Sequence, residues 1–123
     1  TNDTRESAAI NVADFLLNEQ ANISIFDPQV KEKQVLNDLY YINSRSEEEN
    51  KKGISVYDNQ YESCKNSHAI AIMTEWDEFK EYDWQKIYDN MQKPAFIFDG
   101  RNILDAKKMK EIGFVFSAVG SKN

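Results

Sequence analysis

Four glycines, two prolines, one histidine and one cysteine in 123 residues leave little room for several kinds of chemistry. The glycines stand singly at 53, 100, 113 and 120, so no Gly-rich loop is present to cradle a phosphate. With Cys64 and His68 as the sole members of their types, zinc has too few ligands, and no metal site is expected. A lone cysteine forms no internal disulfide, which fits a reducing compartment. Cys64 is also set aside as a nucleophile, because His68 reads as the start of a strand across a turn from it, a poor alignment for a thiol and its base. Positive charge is short: 15 Lys and Arg face 21 Asp and Glu, for a net charge of -6. With a pI near 4.8, the chain is a poor match for nucleic acid or an anionic membrane. No apolar run approaches the ~20 residues that cross a bilayer, and the opening residues lack a signal-peptide pattern. The expectation is a soluble, cytoplasmic chain.

What is present is enough for a core. Hydrophobic residues make up 41% and aromatics 12%, and the length suits one domain over residues 1–123. Asp3 and Glu6 have capping-box spacing, and Ala9, Val12, Ala13, Leu16 and Leu17 then form one helical stripe. "NISIFDP" reads as a strand ended by Pro28, and Val35, Leu36, Leu39 and Tyr40 predict a second helix. Ser44 to Gly53 lacks periodicity and reads as a solvated, mobile loop. "ISVYD", "HAIAIMT", "AFIFD" and "FVFSAVG" read as further strands, the middle two apolar enough to be covered on both faces. Between them, Asp83 caps a helix bearing Trp84, Ile87, Tyr88 and Met91, and Asp105 and Gly113 bracket another. Strands alternating with helices predict an α/β sandwich with a parallel sheet. The order begins with a helix, however, so its first strand is missing. Thr1 follows no initiator methionine. The expectation is a piece of a longer chain, with the strand upstream of Thr1, or else a fold rearranged around its absence.

In open α/β sheets ligands bind beyond the carboxyl ends of the strands, where Asp27, Asp58, Thr74 and Asp99-Gly100-Arg101 fall. Arg101 is open to two readings, a surface arginine after a turn or an arginine held at the sheet edge for an anionic ligand. Arg5, in the first turn of the first helix, either pairs with Asp3 or Glu6 or completes an anion site at the helix N-terminus. "FDGRN" starts like an aspartate-nucleophile phosphatase loop, but Arg101 stands where a second aspartate is required. "AIAIMT" resembles a strand of a phospho-receiver domain, yet the acidic pair and the lysine after the fifth strand are absent. No nucleophile–base pair is visible, so no catalytic residue is expected within the chain.

Five stretches together resemble the C-terminal domain of the UDP-glucose 6-dehydrogenase family: "DTRES" (3–7), "ISIFDPQV" (23–30), "HAIAIMTEWDEF" (68–79), "KPAFIFDGRN" (93–102) and "IGF" (112–114). They occur in the family's order and nearly span the chain, leaving residues 41–53 without a counterpart. The resemblance implies a Rossmann-like three-layer α/β sandwich with a mainly parallel sheet and a truncated first strand. It also implies a UDP-binding domain of an oligomeric, NAD-dependent enzyme that oxidises UDP-glucose to UDP-glucuronate through a cysteine thiohemiacetal and thioester. The NAD loop, catalytic cysteine and acid/base lysine of that family have no counterpart in the sequence, so the chain alone is expected to be inactive. Carried over by motif, Arg101 contacts the UDP-sugar and Arg5 reaches NAD bound mainly by another domain. Glu75 and Trp76 are left as structural, with no ligand contact assigned to them. The alternatives are the equivalent domain of another UDP-sugar dehydrogenase and a non-catalytic α/β interaction module.

Overall fold

A computed structural model of the chain describes residues 8 to 119. It is mixed α/β, and every strand ladder is parallel, as the alternation of helices and strands predicts. The backbone divides into two compact units, Thr1–Ser63 and Cys64–Asn123, and the ladders divide with it into a two-stranded and a three-stranded sheet. The Asp3–Glu6 cap lies outside the described residues.

In the first unit, α1 (Ala8–Asn18) leads to β1 (Ile23–Phe26), α2 (Glu32–Asn43), α3 (Glu47–Lys51) and β2 (Ile54–Tyr57). The short helix α4 (Gln60–Cys64) carries the chain to the division between the units. β1 and β2 pair in register from Ile23–Ile54 to Phe26–Tyr57. Ile10, Val30, Val35, Leu39 and Ile54 form the core, with Leu17, Ile23 and Val56 packed against it. On α1 the inward line is thus Ile10, Ala13 and Leu17 rather than the stripe through Leu16, which sits at the exposed margin beside Phe15. Asp27 ends β1 by accepting from the backbone N–H of Gln29 (2.8 Å) and Val30 (3.1 Å), the turn that the following proline requires.

The segment from Ser44 to Gly53 is not the loop expected of it. Ser44 closes α2 in the left-handed region at φ 59°, and Ser46 and Glu49 then form a reciprocal capping box that starts α3. A polar network holds this turn in place. Arg45 Nη2 donates to Asp14 Oδ1 and Asn18 Oδ1, both at 2.9 Å, while Asn43 bridges Asp14 and the buried Asn50. Burial of an amide at Asn50 is tolerable because its oxygen and nitrogen both find partners, Asn43 and the Arg45 carbonyl.

The second unit contains β3 (Ala69–Ile72), a 3₁₀ turn (Asp77–Glu81), α5 (Trp84–Asp89), β4 (Phe96–Asp99), α6 (Ala106–Ile112) and β5 (Val115–Ala118). The sheet order is β3-β4-β5. The caps read from the sequence are formed: Asp83 accepts from Lys86 N–H and Asp105 from Lys108 N–H. Gly113, at φ 131°, receives α6 where a side chain would strike the Tyr88 ring. Trp84 is buried with its indole N–H donating to the Phe79 carbonyl at 2.8 Å, and its ring meets Phe114 edge-on. One sequence expectation changes here. Neither β3 nor β4 is covered on both faces: β3 exposes Ala69 and Ala71, and β4 alternates, with Ile97 and Asp99 buried but Phe96 and Phe98 half-exposed, as is Val115 on β5. A continuous apolar run does not by itself distinguish one covered face from two. Among the described residues no helix is long and apolar enough to cross a membrane.

Candidate functional site

The carboxyl ends of β3 and β4 lie side by side, because the parallel register pairs Ile72 with Asp99. Beyond them the chain turns sharply. Gly100 N–H donates to the Ile72 carbonyl at 2.9 Å, drawing the β4 turn against the end of β3. A Cβ at position 100 would lie 2.9 Å from that same carbonyl oxygen, so glycine is required for close approach. The left-handed residue of the turn is not Gly100 but Asn102, at φ 56°.

Asp99 builds the turn from inside. Its side chain is fully buried, with Oδ1 accepting from Arg101 N–H (3.1 Å) and Oδ2 from Ile103 N–H (2.9 Å) and Leu104 N–H (2.8 Å). Three charge-assisted bonds offset the cost of removing the carboxylate from water. Asp99 is therefore committed to the backbone, while Arg101, whose amide it grips, projects its side chain outward, about 45% exposed.

Arg101 is not alone there. Its Nη2 donates to Oε1 of Glu75, which leaves β3 at the same end of the sheet. From sequence, Glu75 reads only as structural. The only signal was that both residues follow adjacent strands, and adjacency requires knowing the sheet order. Thr74 and Trp76, on either side, are partly buried. Asp27 and Asp58, the other strand-end carboxylates, belong to the first unit, where Asp27 serves the turn after β1. Arg5 lies outside the described residues. Cys64 is a half-buried thiol at the end of α4, and His68 is exposed.

Among the described residues no glycine-rich dinucleotide loop is formed. Gly53 packs where a Cβ would meet Leu17, Gly100 serves the close approach and Gly113 the end of α6, so none of the described glycines opens a helix beneath a pyrophosphate. What the site offers is narrower: a fixed turn presenting one guanidinium at a strand end, a geometry suited to a phosphate or carboxylate.

Residues 1–106 match the UDP-glucose/GDP-mannose dehydrogenase family, UDP binding domain. UDP-glucose 6-dehydrogenase 1 of Glycine max is 50% identical over 98% of this chain. UDP-glucose 6-dehydrogenase 3 of Oryza sativa subsp. japonica is 49% identical, and UDP-glucose 6-dehydrogenase 4 of Arabidopsis thaliana 48%, each over the same share. The chain spans only 27% of the length of each of these relatives. Among solved structures, a UDP-D-ManNAc dehydrogenase from Pyrococcus horikoshii shares the fold, with a TM-score of 0.52 at 22% identity, over 90% of this chain and 30% of that one.

Proposed function

The chain belongs to the UDP-glucose/GDP-mannose dehydrogenase family, as its UDP binding domain, and on that premise we propose that it holds the UDP moiety of UDP-glucose within a UDP-glucose 6-dehydrogenase. Residues 1–123 act as one UDP-binding domain in this reading. The parent enzyme oxidises UDP-glucose to UDP-glucuronate with NAD, in the cytoplasm and as an oligomer, and its catalytic cysteine and NAD loop belong to other domains. Arg101 contacts the UDP-sugar, and Arg5 reaches the NAD bound mainly by another domain. Eight relatives at 44–50% identity carry the name UDP-glucose 6-dehydrogenase, which favours glucose over another UDP-sugar.

One observation carries the proposal: Arg101 stands at the carboxyl end of a parallel strand, on a turn whose backbone is fixed by Asp99 and pressed against β3 by Gly100. Strand ends of this kind are where open α/β sheets bind nucleotides. The test is a calorimetric titration of UDP into the chain and into Arg101→Ala at low ionic strength. Saturable binding on the order of millimolar, about -4 kcal/mol, is expected for the wild type. The variant is expected to lose most of it. Equal binding by both would remove Arg101 from the site.

A further inference from the structure

Resting on the proposed role of Arg101 in holding UDP, we propose that Glu75 is the resident counter-ion of that arginine, a carboxylate that the ligand's phosphate displaces. Glu75 would thereby set the affinity of the site for anions and its dependence on salt. The backbone brings the two residues together. Ile72 and Asp99 are register partners, and the Gly100 N–H is tied to the Ile72 carbonyl. From that fixed point Glu75 and Arg101 leave their strands at the same end, and Arg101 Nη2 donates to Glu75 Oε1.

The exposure of the pair separates a structural role from a regulatory one. The side chains are 45% and 57% accessible, and an ion pair so wet adds little to stability. A contact that contributes little to the fold also costs little to exchange. A guanidinium presents five N–H donors in a planar fork that suits carboxylate and phosphate alike, so Glu75 and a ligand phosphate compete for the same geometry. Once displaced, the carboxylate remains beside an anionic ligand and repels it through water, an interaction that salt screens. A neutral ligand meets no such penalty. Glu75 therefore acts on binding through Arg101 and through charge, as a positioning residue.

The test compares UDP and uridine, titrated calorimetrically into the wild-type chain, Glu75→Gln and Arg101→Ala at low and high salt. Glutamine keeps the size and hydrogen-bonding oxygen of Glu75 but loses its charge. Glu75→Gln is expected to tighten UDP about two- to fivefold at low salt, with the gain fading at high salt. Uridine binding is expected to be unchanged, and urea denaturation should find the fold as stable as the wild type. Loss of UDP binding in Arg101→Ala with an unchanged or weakened affinity in Glu75→Gln would overturn the counter-ion role and leave the UDP site standing. Undiminished UDP binding by Arg101→Ala would remove Arg101 from the site and overturn the counter-ion role with it. An absence of UDP binding in both the wild type and Glu75→Gln would overturn the site itself, and the counter-ion role with it.

Discussion

Asp99 takes a carboxylate into a fully buried position, where the N–H groups of Arg101, Ile103 and Leu104 stand in for the hydrogen bonds of solvent. That arrangement makes it the residue on which the candidate site mechanically depends, although it touches no ligand in the proposed reading. Removing it orphans three backbone donors and opens a small void. Asp99→Ala is therefore expected to cost about 2–4 kcal/mol, read as a lowered urea midpoint with an unchanged slope. Gly100 illustrates how far spacing can be read. Its place before Arg101 marks a turn in the sequence, whereas the close approach it makes, against the Ile72 carbonyl, is visible only in the structure. The positive φ of the turn, by contrast, was taken up by Asn102, a residue type that also tolerates the left-handed region. Glu75 was beyond the reach of sequence. It lies 26 residues from Arg101, and their meeting depends on β3 and β4 being neighbours in register.

The elements with an apolar stripe or an aspartate cap were legible, and those with neither signal were not. The helices α5 and α6 start at Asp83 and Asp105, the predicted caps, because aspartate at those positions satisfies orphan N–H groups whatever the tertiary context. The 3₁₀ turn at Asp77–Glu81 has a single buried side chain, Phe79, and so gave no period to read. The helix α3 is more instructive. Its five residues, "EEENK", have no hydrophobic face, yet Ser46 and Glu49 carry the serine-to-glutamate spacing of a capping box, masked by the surrounding charge. The half-exposed Phe96 and Phe98 show a further limit, since hydrophobic composition fixes the strand but not how many of its faces are covered. If the cap holds α3, Ser46→Ala should weaken it by about 1 kcal/mol. Amide hydrogen exchange should then find the Glu49 N–H exchanging about fivefold faster, with Ser46→Thr restoring most of the protection.

At the scale of the whole molecule, the proposed reading gives the chain binding residues without a complete reaction centre. Its single thiol, Cys64, is half-buried at the end of α4, and its described glycines serve packing, close approach and a helix end. The length matched, 27% of each relative, fits a division of labour in which other domains carry the chemistry. Accordingly, UDP-glucose and NAD incubated with the 123-residue chain are expected to give no NADH above the protein-free rate, as followed by absorbance. NADH formation would overturn that division.

The wholly parallel pairing described for both sheets has a consequence for how the chain reaches its native state. Antiparallel neighbours can zip from a two-residue turn within microseconds, but parallel neighbours need the intervening helical connection to close as a loop before any ladder bond forms. Each of the three ladders therefore waits on loop closure, whose entropic cost precedes the hydrogen bonds that offset it. The strands are therefore expected to condense late. Until they do, the apolar segments around Ile70 and Ile97 are unpaired, and that interval is when one chain is most exposed to pairing with another rather than with itself.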